Sequence, residues 1–186
     1  MNKRISSVLD VLKGSIEDKN MKLVELILKD LNFSDEYGMG WLHLLVDEQA
    51  DEVVTFEAIK ILLQLGLDPN KKDNCGYNFI QVAMYTGYSE GFIYSCIEYA
   101  LKYKLNVNHV DKNKFTMIHT AIDSDDYFGK LDKIYDLLIT HGFKPNVLSN
   151  TGDSIVDLMK NSTKYNYFYK EEFINSVQNK KKKRLR

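Results

Sequence analysis

The nine residues DEYGMGWLH at positions 35–43 decide the fold, because the chain repeats their pattern three more times at a fixed step. DNCGYNFIQ occupies 73–81, DKNKFTMIH 111–119 and SNTGDSIVD 149–157, each 38 residues after the one before. Asp35, Asp73, Asp111 and Ser149 open these segments, and Gly38, Gly76, Lys114 and Gly152 stand three residues on. Seven residues on come Leu42, Ile80, Ile118 and Val156, followed at once by His43, Gln81, His119 and Asp157. The same step links Gly66, Lys104 and Gly142, and also Asn70, Asn108 and Asn146. Pro69 and Pro145 lie two steps apart, with Val107 between them. A period in this range marks a chain of stacked copies of one supersecondary unit, each unable to bury its apolar face alone.

Within a frame the periodicity is helical. Leu42, Leu45 and Val46 give a short apolar face at i, i+3 and i+4, and Ile59, Ile61, Leu62, Leu63 and Leu65 predict a second helix. Gly66 stands where that helix stops, and a glycine there takes the left-handed conformation that satisfies the last carbonyls. From Asp68, Pro69 and Asn70 to Gly76 the chain reads as a turn. Each frame is therefore turn, helix, turn, helix, loop.

These segments resemble the ankyrin-repeat family, whose pattern is D-x-x-G-x-T-P-L-H-x-A-A followed by a helix ending V-x-x-L-L-x-x-G-A-D-x-N. The resemblance rests on residues 35–43 and 111–121, together with ILLQLGLDPN at 61–70 and LLITHGFKPN at 137–146. It covers residues 35–158 closely and the flanks more loosely. It implies an all-α solenoid of about five helix pairs forming one domain over residues 1–178. Residues 1–34 would be an N-terminal capping unit, 35–72, 73–110 and 111–148 repeats, and 149–178 a C-terminal capping unit, with 179–186 a basic tail. The family repeat is about 33 residues, so each frame carries about five extra. They are placed between the helices, around Asp47 to Phe56, Thr86 to Phe92 and Asp123 to Leu131. Gln81 and Asp157 stand where the family has His, Lys104 and Lys114 where it has Gly, and no frame keeps Thr-Pro intact.

Composition agrees with a folded chain: 186 residues, 44% hydrophobic, 27% charged and a net charge of −1. That total hides an asymmetry. Lys180 to Arg186 holds six basic residues, leaving 19 basic against 26 acidic groups, or −7, over residues 1–179. Lysine outnumbers arginine 22 to 3, which suggests an AT-rich source genome. Two cysteines, Cys75 and Cys96, are too few for a disulfide framework or a four-ligand zinc site. No apolar run approaches the roughly 20 residues of a membrane span, and no signal peptide is read at the N-terminus, so the expected location is the cytoplasm, or the nucleus in a eukaryotic cell.

Chemistry-bearing motifs are sparse. His43 and His119 hold the repeat position where the family uses imidazole to bond the backbone of the next repeat, and His109 lies in a loop. His141 precedes the helix-terminal Gly142, where a cation suits the helix dipole. No H-x-x-x-H, C-x-x-C, H-E-x-x-H or phosphate-cradling glycine string is present. Cys75 falls in a turn and Cys96 on an apolar helix face, without an indicated base or orienter. Gly87 and Gly91 read as turn residues between helices. The expectation is a protein that is not an enzyme and takes no cofactor, metal or small-molecule substrate. The run KKKKRLR reads as a solvated helix end or as a localisation or nucleic-acid-binding run, but the acidic body disfavours phosphate contacts.

What the resemblance leaves is a partner face: turn tips and the inner side of the first helices, aligned into one strip. Carried over position by position, the face comprises Glu36, Tyr37, Met39, Asp47 and Glu48. The next units add Asn74, Cys75, Tyr77, Tyr85 and Thr86, then Lys112, Asn113, Phe115, Asp123 and Ser124. Tyr, Phe and Met are enriched at interface cores; the alternative is that some of them, particularly Phe115 and Tyr77, tuck against adjacent repeats. Asp47, Glu48, Asp51 and Glu52 precede one second helix, and Asp123, Asp125 and Asp126 fall at the corresponding place two units on. This acidic rim favours a partner protein with a basic surface, through electrostatic steering. The expected function is a cytosolic antagonist, as an immunity protein covers a toxin; the alternative is a microbial or viral effector or adaptor docking a host protein.

Overall fold

A computed structural model of the chain describes residues 14–15, 18, 32–124, 131–163, 165 and 167–184. Among them are eight α-helices and no strand. They are α1 (Trp41–Asp47), α2 (Glu52–Gln64), α3 (Phe79–Tyr85), α4 (Glu90–Leu101), α5 (Met117–Asp123), α6 (Asp132–Thr140), α7 (Ile155–Asn161) and α8 (Tyr167–Arg184). The expected N-terminal capping unit, residues 1–34, lies almost wholly outside the described residues. No helix among the described residues is long and apolar enough to cross a membrane.

The helices pack as two rows. The short helices α1, α3, α5 and α7 touch in sequence, and α2, α4 and α6 touch in sequence behind them. The first helices start at equivalent residues, Gly40, Asn78, Thr116 and Ser154, each an extended N-cap. Asn78 Oδ1 accepts from the Gln81 N–H at 3.0 Å, and Ser154 Oγ from that of Asp157 at 3.2 Å, satisfying donors that the helix leaves open. Gly40 has no side chain to offer, and its own N–H donates back to His43 Nδ1 at 3.3 Å.

Between the rows lies one continuous core. Leu45, Ile59, Leu62, Ile80, Ala83, Ile93, Ile97, Ile118, Ala121, Ile134 and Leu138 have no exposed surface. Cys96 is among them, as its apolar face predicts, and burial pushes its thiol well above the usual range. At the far end α8 packs on α7 and also reaches α6, where the Phe173 ring meets Tyr135 at 5.6 Å and Tyr169 Oη accepts from the Leu131 N–H.

Two placements differ from expectation. The extra residues between helices do not form loops alone: α2 starts at Glu52 and α4 at Glu90, so much of the addition lengthens the second helices. Gly91 is therefore helical, while Gly87 keeps a turn conformation with φ 82°. The boundary read at residue 179 marks a change of charge and not of structure, because α8 continues to Arg184.

Gly66 and Gly142 end their helices at φ 95° and 92°, and Lys104 does the same at 65°. A side chain in that region costs about 1–2 kcal/mol, partly offset because glycine also loosens the unfolded chain. Lys104→Gly is expected to raise stability by about 0.5–1 kcal/mol, read as a higher urea midpoint with unchanged slope. A lower midpoint would contradict this.

Candidate protein-binding face

Each turn tip is locked by its opening residue. Asp35, Asp73 and Asp111 each accept two backbone N–H bonds through Oδ1, from Tyr37 and Met39, from Cys75 and Tyr77, and from Asn113 and Phe115, all at 2.7–2.9 Å. Ser149 retains one such bond, from the Asp153 N–H at 3.1 Å. Neighbouring tips are then joined through the main chain: Asn74 N–H to the Tyr37 carbonyl at 2.8 Å, Lys112 to Cys75 at 3.1 Å and Asn150 to Asn113 at 2.8 Å. Asn74 and Asn150 add their side-chain amides to the Glu36 and Lys112 carbonyls at 3.0 and 2.9 Å.

A second set of joints runs beneath the tips. His43 Nδ1 accepts from Gly40, which assigns the proton to Nε2, and Nε2 lies 3.0 Å from the Tyr77 carbonyl of the next unit. Gln81 does the same work with an amide, donating to the Phe115 carbonyl at 3.2 Å and to Thr120 Oγ1 at 2.9 Å. His119 has the Asp153 backbone as its equivalent neighbour, without a hydrogen bond of standard geometry. Asp157, in the last unit, turns to the Ser154 N–H and hydroxyl at 3.0 and 2.6 Å. At the loops, Asn70 Nδ2 bonds the Lys104 carbonyl at 3.0 Å while Oδ1 accepts from Asn106 N–H at 2.6 Å. Asn108 repeats this on Gly142 and Lys144 at 3.1 and 2.7 Å. His109 Nε2 reaches back to the Gly76 carbonyl at 2.8 Å.

Burial lowers the pKa of His43, His109 and His119 below the ordinary 6.5, so the neutral form is favoured in the folded chain at pH 7. The unfolded chain binds more protons as pH falls below about 6.5, so their contribution is complete above that value and is lost progressively toward the folded pKa values. Asp47 and Asp111, whose carboxyls burial raises, act in the opposite sense, at the lower pH of carboxylate titration, about 4. Gln81 supplies the control. His43→Gln is expected to hold stability at pH 7 within about 1 kcal/mol and to reduce the loss between pH 7 and 5.5, followed by thermal melts. An undiminished acid loss would rule out His43 as a contributor.

No protein-family model matches the chain, and no curated protein matches it. Identification of a face therefore rests on where the side chains stand. Tyr37 is 59% exposed at its tip, beside the exposed Glu36. Met39, Tyr77 and Phe115 occupy one repeat position and are half-buried; Met39 and Tyr77 pack against the core, and Phe115 stacks on His119 at 5.6 Å. Asn74, Cys75, Lys112 and Asn113 are exposed at the tips, Asn74 with its amide committed as above. Asp47, Tyr85 and Asp123 end α1, α3 and α5 at equivalent positions, so they form a row.

The expected rim divides in two. Asp47 is exposed and Glu48 partly so, and burial followed by the charges of Asp35 and Glu48 raises the Asp47 carboxyl. Asp51 and Glu52 have structural duties instead. Asp51 caps α2 by accepting from the Val53 and Val54 N–H groups at 3.0 and 3.1 Å, and Glu52 grips the Ser89 N–H and hydroxyl, both at 2.7 Å. Thr86 Oγ1 bonds the Val46 carbonyl at 3.1 Å, and Ser124 is fully buried, which removes it from the face. Asp125 and Asp126 lie outside the described residues.

Val53, 71% exposed beside the rim, was not legible because the sequence reading begins α2 after it. Leu148 and Phe168, 51% and 82% exposed, carry no polar signal that separates them from core residues.

Proposed function

We propose that the chain is an ankyrin-repeat solenoid acting as a non-enzymatic protein-binding module, in its most specific form a cytoplasmic antagonist that covers a basic surface of another protein. The observation that carries this is the row of partly exposed aromatics and carboxylates, Tyr37, Tyr77, Tyr85, Asp47 and Asp123, held on main-chain joints that repeat every 38 residues. Three of the four imidazoles, His43, His109 and His119, are buried against the backbone of neighbouring units and out of reach of a substrate, which favours binding over catalysis. Aromatic anchors rimmed by charge are the composition from which interface energy is drawn.

The test is affinity capture from the source organism, then association kinetics with the captured protein. Asp47→Asn with Glu48→Gln is expected to slow association several-fold and flatten its salt dependence, since removing two charges weakens steering. An unchanged on-rate would sink the electrostatic part. Asp51 and Glu52 are left intact because their bonds support the fold. The basic run from Lys180 to Arg186 motivates a second reading, an effector or adaptor docking a host protein with the run directing it to the nucleus. Deleting residues 180–186 separates the two: an antagonist keeps full binding and location, an effector loses nuclear entry.

A further inference from the structure

We propose that Tyr77, Tyr85 and Asp123 form a clamp for a single arginine side chain of the partner protein, an inference that rests on the protein-binding reading above. The Tyr77 and Tyr85 rings stand 5.2 Å apart at 42°, one from the tip and one from the end of α3 in the same unit. Across the joint to the next unit, Tyr85 Oη lies 3.4 Å from Asp123 Oδ2. Both phenols are half-buried and so held in place, while Asp123 is exposed at the end of α5. The two rings are in contact with each other, so a flat cation stacks on their outer, partly exposed side and pairs with the carboxylate at once. Guanidinium does both, lying on an aromatic face and donating in parallel to a carboxylate, whereas ammonium is compact and strongly hydrated.

The surroundings are negative. Burial, the Tyr77 hydroxyl and the charges of Asp123 and Asp111 all hold the Tyr85 phenol above its usual pKa. On the other flank stands Asp47, because the ends of α1 and α3 are tied by Thr86 Oγ1 to the Val46 carbonyl at 3.1 Å and by Gln49 Nε2 to the Thr86 carbonyl. The described cation-ring contacts are elsewhere, Lys60 over Phe56 and Lys102 over Tyr99 in the second row.

The probe is an acetylated, amidated peptide of three Gly-Arg-Gly units, titrated by NMR against the same peptide with citrulline, which keeps shape and loses charge. The arginine peptide is expected to shift the Tyr77 and Tyr85 ring resonances. Tyr85→Leu and Asp123→Asn should each weaken it by about threefold to thirtyfold, while Tyr85→Phe, which keeps the ring, retains most binding. Asp123→Asn changes an exposed group, and its melt shows whether the fold is intact. Equal affinity for citrulline, or full affinity in both Tyr85→Leu and Asp123→Asn, overturns the clamp. A captured partner slowed by Asp47→Asn with Glu48→Gln but indifferent to Tyr85→Leu overturns the clamp alone and leaves the protein-binding reading standing.

Discussion

Gly76→Ala is expected to destabilise the fold by about 3 kcal/mol or more, while Gly152→Ala costs only about 1–2 kcal/mol. The two glycines share a conformation, φ 87° and 86°, and the same place in their turns. Both substitutions put a side chain into the left-handed region. Only at Gly76 does the new carbon meet the next unit, 2.9 Å from the Lys112 nitrogen and 3.2 Å from the Asp111 carbonyl carbon; at Gly152 nothing lies within 4 Å. The atoms it strikes are backbone and cannot swing aside. Moving them stretches the bond from Lys112 N–H to the Cys75 carbonyl and disturbs the Gly76 carbonyl that His109 holds. Urea unfolding of the pair measures the difference. Equal losses would mean that left-handed strain alone, without the unit-to-unit approach, sets the demand for glycine.

Phe173→Ala should cost about 3–5 kcal/mol, the range for deleting a large ring from a sealed core. Phe173 has no exposed surface and meets Tyr135 at 5.6 Å and Tyr169 at 6.4 Å, so the ring fastens α8 to α6. The loss should be local. In a stack whose units touch only their neighbours, breaking an end contact frees the end before the middle. Hydrogen exchange is expected to lose protection in α8 and α6 while α1 to α4 keep theirs. Uniform loss along the chain would show that the rows unfold as one unit, against this account.

The helix pairing was legible because its signals are local. The apolar spacing of Leu42, Leu45 and Val46 and of Ile59 to Leu65, with Gly66 or Gly142 at the stops, acts within a few residues, whereas the polar caps at Asn78, Thr116 and Ser154 emerge only from the structure. The half-buried tips were legible less well. Met39 and Phe115 read as interface side chains from type and position, yet a neighbouring ring or core wall covers part of each. Asp51 and Glu52 show the limit most clearly. A carboxylate that caps a helix and one that meets solvent have the same letter, and only the placement of the Val53, Val54 and Ser89 N–H groups separates them. Gln81, which stands where two other units carry His43 and His119, is explained in the same way by its amide lying between the Phe115 carbonyl and Thr120 Oγ1.

The tip-to-tip bonds join main-chain atoms at Tyr37, Cys75 and Asn113, so the joints do not depend on which side chains those positions carry. Holding the stack and presenting a surface are thereby assigned to different atoms of the same residues. The side chains at Tyr37, Cys75 and Asn113 can therefore change without loosening the scaffold. Position 74 is less free, because there the amide serves the joint as well. The protein is in this sense built to diversify at its tips, and a library randomised at those three positions should return a high fraction of folded members.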